Sequence, residues 1–581
     1  MDFDRRELIK VSLGEAEADL AIVNGDVVNV YTGEVEKASV LVKGERIAYV
    51  GDDAGKAIGT DTQVIDAAGR TLIPGFIDGH THIDTAYSIS EVLRFALQGG
   101  TTTIITESCS IASVLGYEGI VQFLNSARRQ PIKVFITAAP MVTISPVTEA
   151  HAVGVKELRR LLRHPEIVGL GETYWGDVVG GNPRLLDLIA ETIKLGGMAD
   201  GHSAGASNHK LQAYVASGVS SCHEPTTVEE LLERLRLGLF VLIREGEVRR
   251  ELEAVAPIKD MGIDLARLAM STDGVGPGQL VANGYMECVV QKAIDLGFDP
   301  VMAIKMATLN VAEHFAMDDI IGGIGPGKYA DVIVIPDLHN IKAEYVISNG
   351  KVVSQDGRLL IEPRKHRYPK SLTYSLALPR DFTAADFAIP APGNKARVRL
   401  MKQITDLLVR EEIFDMPVSD GELKIDLAED IIKVTAIERS YGTGQRFTGL
   451  IKGIGLKKGA IATSFAWDCS DLVVLGADEN DMARAVNRIR ELGGGSVVCA
   501  GGKIIAELAL PVGGAISTEP MEVIADKLDR IQRAANDLGA VSSDIRLTVA
   551  VLTTPAIPFL RICETGLFDL RENRFVELMV G

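Results

Sequence analysis

The sequence has few cysteines, and they form no recognisable pattern. Its 581 residues include six cysteines, none of which share the Cys-X-X-Cys spacing of redox and zinc motifs. Disulfide frameworks belong mainly to short secreted domains with small cores, a class that this length does not match. We therefore expect free thiols and a location in the reducing cytoplasm.

Long apolar runs and an excess of positive charge are also missing. No uninterrupted apolar run approaches the roughly 18 residues that a membrane-spanning helix needs, and the first residues lack the apolar core of a signal peptide. With 60 Lys and Arg against 78 Asp and Glu, the formal net charge is −18. Because nucleic-acid surfaces need clustered positive charge, we expect neither a nucleic-acid partner nor a membrane partner.

The sequence does contain enough apolar residues for several domains. Hydrophobic residues make up 46% and charged residues 24% of the chain, as in ordinary soluble globular proteins. Residues 5–18 have the spacing of a short amphipathic helix, and short apolar runs closed by glycine follow. We therefore predict an N-terminal segment and the first part of a small β domain over residues 1–74.

From residue 75 the pattern changes to alternating strands and helices. Eight short apolar stretches, with helical spacings between them, follow one another within roughly 240 residues, the size of a closed (β/α)8 barrel. Alternation of this kind predicts parallel βα units. We therefore predict an α/β protein with a (β/α)8 catalytic barrel over residues 75–318.

Three further parts are predicted after the barrel. Residues 319–362 return to β character and are expected to complete the small β domain. Residues 363–396 are proline-rich and predict a linker. Residues 397–581 predict an additional C-terminal α/β domain, with helices at 480–492, where Asn480 is the expected N-cap, and near 522–538.

Two histidines at the end of the first barrel strand carry a chemical signal. Successive side chains of a strand alternate between faces, so His80 and His82 are expected to project to the same side. Two neutral imidazoles in this arrangement can chelate one divalent cation. A bare His-X-His is more often an ordinary polar pair at a strand end, and the choice depends on further ligands.

Such ligands stand at the ends of later strands: Glu172, His202, His223 and Asp273. Because the carboxyl ends of barrel strands converge on one rim, we expect all six side chains to hold two divalent metal ions. Glu172 is the expected bridge, and the pair would lower the pKa of a shared water. Asp273 is the expected acceptor of its proton, which would then pass to a leaving nitrogen.

The other histidines and two cysteines receive separate predictions. Cys109 and Cys222 stand at or beside strand ends and are expected to be unpaired thiols near the metal rim. The histidines in helix or loop contexts are interpreted as surface residues: His151, His164, His209, His314, His339 and His366.

The motifs around these residues resemble the amidohydrolase superfamily and, within it, the adenine deaminases. The stretch Pro74-Gly-Phe-Ile-Asp-Gly-His-Thr-His82 is similar to the superfamily's motif on the first strand. Val168-Gly-Leu-Gly-Glu172, Asp200-Gly-His202 and Ser220-Ser-Cys-His223 resemble the adenine deaminases, and Gly459-Ala-Ile-Ala-Thr-Ser resembles their extra C-terminal domain. The resemblance implies a binuclear centre, commonly of manganese or iron with zinc as an alternative. It also implies hydrolysis of adenine to hypoxanthine and ammonia.

The sequence departs from that family's pattern beside the candidate ligands. Asp273 is followed by Gly274, where adenine deaminases usually carry a second Asp. Their usual Asp-Pro-His-Glu is Glu107-Ser-Cys-Ser here, and their Met-Met-Asn is Thr173-Tyr-Trp. In the C-terminal domain, Ala-His-Asp-Ser-His-Asn becomes Ala466-Trp-Asp-Cys-Ser-Asp. Loss of groups that hydrogen-bond a purine changes discrimination between substrates.

Three hypotheses for the function follow. The first is metal-dependent deamination of adenine or a related aminopurine, and the alternative is hydrolysis of an N-substituted purine, a pterin or a cyclic amide. A catalytically silent binding scaffold is the third. Cys109, Trp175 and Glu224 are the candidate substrate contacts. Trp175 and Trp467 could offer flat apolar surface to a ring, and both are at least equally consistent with ordinary core packing. We expect a small heterocycle as the partner and a homo-oligomeric state.

Overall fold

Eight parallel strands lie at the centre of the molecule. The structure is a computed structural model and describes residues 4–580. Strands one to five form one sheet, in spatial order five to one, and strands six to eight form a second. The eight are Phe76–Thr81, Thr101–Thr106, Lys133–Ala138, Ile167–Tyr174, Met198–His202, Ser221–Cys222, Phe240–Arg244 and Leu268–Ser271. The predicted α/β class is confirmed.

Backbone hydrogen bonds connect the two sheets at both junctions. The Ser220 N–H donates to the Ala199 carbonyl over 3.0 Å, beside strands five and six. The Asp273 N–H donates to the His80 carbonyl, also over 3.0 Å, beside strands eight and one. The carboxyl ends of the first and last strands are therefore neighbours.

Helices cover these strands, and four of them begin at a side-chain cap. Asn182, for example, accepts a hydrogen bond from the Leu185 N–H, and Pro183 occupies the first helical position. The helices of eight or more residues in this region are Ile89–Gly99, Cys109–Ala127, Pro183–Lys194, Asn208–Ala216, Val228–Arg236 and Met286–Asp295. Shorter ones are Pro146–Glu149, Val155–Leu161, Trp175–Val179, Leu252–Val255, Pro277–Asn283, Pro300–Met306 and Leu309–His314.

A nine-stranded sheet combines segments from before and after this unit. Thr71–Pro74 pairs antiparallel with Val332–Ile335, so chain regions about 260 residues apart form one ladder. The other strands are Leu20–Asn29, Glu34–Lys43, Arg46–Gly51, Gln63–Asp66, Tyr345–Ser348, Lys351–Gln355 and Arg358–Leu359. The N-terminal helix is Arg5–Ser12, shorter than the predicted 5–18, because the chain turns after Ser12.

The C-terminal domain is rich in β structure. Its nine-stranded sheet contains Lys395–Gln403, Val409–Ser419, Glu422–Leu423, Ile431–Glu438, Arg446–Lys452, Ala460–Thr463, Asp471–Gly476, Gly495–Ala500 and Lys503–Ala509. Leu560–Cys563, Gly566–Asp569 and Arg574–Val576 form a smaller sheet. The helices are Glu479–Leu492, Met521–Asp537 and Ile545–Ala550. The predicted N-cap Asn480 is wrong: Asp478 caps this helix by accepting from the Asp481 N–H.

The C-terminal domain packs directly on the strand–helix unit. Ala86–Tyr87 pairs in parallel with Ile516–Ser517, and one buried apolar cluster contains residues from both parts, such as Ile111 and Val512. Between the parts, residues 363–396 include both exposed and buried positions, and Phe387 is fully buried in an apolar cluster with residues of the C-terminal domain. Within residues 4–580, no helix is long and apolar enough to cross a membrane.

Candidate metal centre and cavity

The candidate ligands lie at the carboxyl ends of five strands. His80 and Glu172 lie near the carboxyl ends of the first and fourth strands, and His202 ends the fifth strand. The other three follow the first, sixth and eighth strands: His82, His223 and Asp273. All are buried except His202, which is half-buried. The structure therefore brings together the six side chains that the sequence indicated.

Glu172 lies at the centre of the group. Its Oε1 atom lies 2.8 Å from His223 Nε2, 3.1 Å from His80 Nε2 and 3.8 Å from His82 Nε2. His80 Nε2 is buried and has no hydrogen-bond partner, although carboxylate oxygens surround it. A buried ring nitrogen in this setting is what a metal ligand requires, and imidazole with carboxylate suits manganese, iron and zinc. The residues present therefore fit a divalent cation.

A second group of ligand atoms adjoins the first. His202, His223 and Glu224 offer atoms within 4.8 Å of one another, as do His80, Glu172, His223 and Asp273. The Glu224 Oε1 atom lies 2.8 Å from His223 Nε2, and its Oε2 accepts from the Ser203 N–H. Glu224, predicted as a substrate contact, thus lies against candidate ligands.

Arg244 is a site residue that we did not single out from the sequence. Its Nη1 donates to Asp273 Oδ2 over 3.0 Å, and its other nitrogens bind both carboxylate oxygens of Glu251. Burial raises the pKa of Asp273, but the nearby His80 and His82 imidazoles and the charge of Arg244 outweigh burial and hold this pKa well below its usual range. Asp273 is therefore anionic at neutral pH.

The backbone at Asp273 is unusual. Its φ angle is +53°, in the left-handed region, where Asp and Asn are the commonest residues after glycine. This turn directs the residue away from the path of the eighth strand and lets its N–H reach the His80 carbonyl. The following Gly274 also has a positive φ of +97°.

A cavity of about 300 Å³ opens beside these groups. Five of the six candidate ligands line it, and His80 lies behind Glu172. The facing wall comes from the C-terminal domain and includes Leu407, Trp467, Asp468, Val551, Thr554 and Ile557. Strand-end patterns identify only the wall from the strand–helix unit, whereas Trp467, which the sequence offered as a possible ring contact, lies on the facing wall.

Asp468 is the acidic group of that facing wall. Its Oδ2 accepts hydrogen bonds from the Tyr174 hydroxyl, over 2.8 Å, and from the Thr554 hydroxyl. Burial raises the pKa of Asp468 to about 7, although these two hydrogen bonds oppose the rise. Tyr174 lies two residues after Glu172, so the fourth strand supplies both a candidate ligand and the partner of Asp468.

The other predicted contacts lie outside the cavity lining. Cys109 Sγ lies 3.4 Å from His82 Nδ1, and the Trp175 indole donates to the Ala204 carbonyl over 2.8 Å. Cys109 and Cys222 are buried free thiols. The surface prediction is wrong for His314, which is 2% exposed with its Nε2 atom 3.0 Å from Asp200 Oδ1. A histidine on the apolar face of a short helix gave no sequence signal for burial.

Comparisons with known proteins agree with this geometry. Residues 71–353 match the amidohydrolase family, and residues 406–574 match the adenine deaminase C-terminal domain. The adenine deaminase of Moorella thermoacetica is 36% identical, over 99% of this chain and 98% of that protein. The adenine deaminase of Dehalococcoides mccartyi is 35% identical, over 99% of both chains. Adenine deaminase 3 of Rhizobium meliloti is also 35% identical, over 99% of this chain and 98% of that protein. The chain belongs to the adenine deaminase family of amidohydrolases.

Proposed function

We propose that this protein hydrolyses the exocyclic C–N bond of a 6-aminopurine, with adenine as the first substrate to test. Water adds at C6, ammonia leaves, and adenine becomes hypoxanthine. The convergence of imidazoles and carboxylates from five strand ends on one cavity is the observation that carries this proposal. The names of the full-length relatives supply the substrate class.

The candidate ligands are suited to two divalent ions, manganese or iron first and zinc as an alternative. When bound, such ions would lower the pKa of water and so supply a nucleophile at neutral pH. His80, His82, Glu172 and Asp273 would hold them with His202 and His223. A homo-oligomeric state and a cytoplasmic location stay predictions.

Asp273 is the proposed proton carrier. The Arg244 contact fixes its Oδ2, while Oδ1 lies 3.3 Å from His82 Nε2 on the side of the candidate ligands. An anionic carboxylate in this position accepts a proton from the attacking water and passes it to the departing amino nitrogen. Glu251 neutralises Arg244 on its other side and keeps the pair in place.

Asp468 is the proposed group that recognises the purine. Tyr174 and Thr554 both donate to its Oδ2, which fixes the carboxyl group at the cavity wall. A carboxylate placed there can accept a hydrogen bond from a purine ring N–H. Sites of this kind discriminate strongly, because a wrong substrate leaves the buried polar group unpaired.

A second candidate substrate is an N6-alkyl purine. The apolar side chains of Leu407, Val551 and Ile557 line the facing wall, so an alkyl group on the amino nitrogen has apolar surface to contact. Hydrolysis at C6 would then give hypoxanthine and an alkylamine rather than ammonia. The two substrates therefore differ in a product that can be measured.

The experiment measures hypoxanthine together with ammonia or methylamine, using manganese-loaded full-length protein and either adenine or N6-methyladenine. In Asp468→Asn we expect KM to rise by about tenfold or more, as for loss of a substrate hydrogen bond, with metal content unchanged. Trp175→Phe, outside the cavity, is the matched control. Metal-loaded protein that turns over neither purine would contradict the proposed function and favour a binding scaffold.

A further inference from the structure

A separate group of metal-ligand side chains lies inside the C-terminal domain. Cys469, Asp471 and Glu564 each offer one ligand atom, and these atoms lie within 4.8 Å of one another. The three residues are at most 1% exposed, and none of them lines the cavity. Cys469 and Asp471 belong to a loop and the strand that follows it, whereas Glu564 follows the strand Leu560–Cys563.

Each carboxylate of this group has one hydrogen-bonded oxygen and one oxygen without a partner. Asp471 Oδ1 and Glu564 Oε2 are buried and accept no hydrogen bond, although Asp471 Oδ2 accepts from the Glu564 N–H over 2.8 Å. Nearly all buried carboxylate oxygens in proteins are hydrogen-bonded or bind a metal. Two such oxygens beside a buried thiol therefore indicate that the three groups share a cation.

Charge compensation supports the same conclusion. The buried Arg439 guanidinium interacts electrostatically with Asp471 and Cys469, and its Nη1 donates to the Gly513 carbonyl. Its Nε and Nη2 atoms have no hydrogen-bond partner. One guanidinium balances only one of the three ligands when the thiol and both carboxyls are ionised. A divalent cation balances the other two.

We propose that Cys469, Asp471 and Glu564 form a structural site for a divalent cation of the zinc type, distinct from the centre in the cavity. Zinc accepts thiolate and carboxylate ligands together, in tetrahedral geometry. The fourth position would be filled by water or by the Cys563 thiol, which packs against Cys469. Binding displaces the thiol proton into solvent.

The position of the site gives it a structural role. Cys469 directly follows Asp468, so the ligands hold the loop that presents Trp467 and Asp468 to the cavity. In the same loop, the Ser470 N–H donates to the hydroxyl of Thr148, from a helix of the strand–helix unit. A cation here would therefore fix the cavity wall and the domain contact together.

The test uses the full-length protein loaded with Co²⁺, which substitutes for zinc and gives a charge-transfer absorption band when bound to a thiolate. The candidate ligands of the cavity contain no sulfur, so the band reports on Cys469. Cys109→Ser is the matched control, because that thiol lies 3.4 Å from His82 Nδ1. Metal content per chain and the melting temperature are measured on the same samples.

We expect the band in the unmodified protein and in Cys109→Ser. We expect Cys469→Ser and Asp471→Asn to lose it, together with about one metal equivalent per chain. Asp471→Asn keeps the side-chain shape, so it decides the matter if Cys469→Ser does not fold. Absence of the band in the unmodified protein, its loss in Cys109→Ser, or full metal retention in Asp471→Asn would each overturn the proposal. None of these readouts depends on purine turnover.

Discussion

At the residue scale, Asp273 joins two networks, since its Oδ1 faces His80 and His82 and its Oδ2 binds Arg244. We predict that Asp273→Asn lowers turnover by roughly 10²–10⁴-fold, the usual contribution of a general acid–base group. The amide cannot accept the proton of the attacking water at neutral pH. Turnover of the purine found to be the substrate is the measurement.

The fold should survive this change. Asn has nearly the same shape, tolerates the positive φ at this position, and leaves Arg244 paired with Glu251. Metal content and melting temperature are the controls. A variant that binds metal, melts normally and keeps more than about a tenth of the activity would show that Asp273 is not the proton carrier.

Glu287 provides a pH-dependent prediction away from the site. The residue is half-buried, but its Oε2 atom is buried without a partner, and burial raises the pKa of Glu287 to about 7 from 4.5. The folded state therefore holds a proton that the unfolded state releases above pH 4.5. Stability falls as pH rises from about 4.5 to about 7, by up to about 3 kcal/mol.

Glu287→Gln removes this penalty, since the amide does not ionise. We expect the variant to raise the free energy of unfolding at pH 8 and to change it little at pH 4.5. Urea unfolding at the two pH values is the measurement. Glu253→Gln, at an exposed glutamate, is the control. An equal effect of Glu287→Gln at both pH values would argue against a raised pKa.

The sequence predicted the site residues that depend on strand position. His80, Glu172 and Asp273 could be found because their spacing follows the ends of strands, and parallel strand ends meet on one side of a fold. The sequence could not show that Arg244 and Asp468 belong to the site, because their contacts within the site are with residues far away in the chain. Trp175 was predicted as a substrate contact and follows Glu172 by three positions, but it lies outside the cavity lining.

At the scale of elements, the C-terminal helix Glu479–Leu492 depends on its cap. Asp478 accepts from the Asp481 N–H over 3.0 Å, and Gly493 ends the helix with a φ of +72°. We predict that Asp478→Ala lowers the free energy of unfolding by about 1 kcal/mol. Denaturant unfolding measures the change.

Asn480→Ala tests the alternative cap that the sequence suggested. Asn480 is exposed and lies inside the helix, so its replacement by Ala, a better helix former, should be neutral or slightly stabilising. A larger loss for Asn480→Ala than for Asp478→Ala would contradict the observed cap. The sequence placed this helix within one residue, but four consecutive acidic or amide residues, at positions 478–481, left the cap ambiguous.

At the scale of the whole molecule, the strand–helix unit and the C-terminal domain share a buried apolar cluster. The Met521 N–H also donates to Glu91 across the contact, and Arg94 binds Glu522. We therefore predict that the two parts unfold together, in one thermal transition. The chain has two tryptophans, Trp175 in one part and Trp467 in the other.

Fluorescence of the variants Trp175→Phe and Trp467→Phe then follows each part separately. We expect the two melting midpoints to coincide with each other and with the calorimetric transition. Separate midpoints would show that the shared cluster does not couple the parts. The far-UV circular dichroism of both variants should match that of the unmodified protein.

The contact between the parts was the least predictable feature of the fold. Strand alternation revealed the central α/β unit, because hydrophobic periodicity is a local signal. The pairing of Ala86–Tyr87 with Ile516–Ser517 involves two-residue strands about 430 positions apart, and no local pattern marks so short a pair. The facing wall of the cavity comes from the C-terminal domain, and of its residues the sequence offered only Trp467 as a possible ring contact.

The left-handed backbone at Asp273 has a consequence for how this family can diverge. Most side chains are strained at a φ of +53°. Among the residues that tolerate this backbone angle, Asn is the closest in shape to Asp. Every aspartate codon becomes an asparagine codon through one base change. A duplicated gene could therefore lose turnover in a single mutational step and still encode a folded protein that binds its purine, free to be selected for a regulatory role.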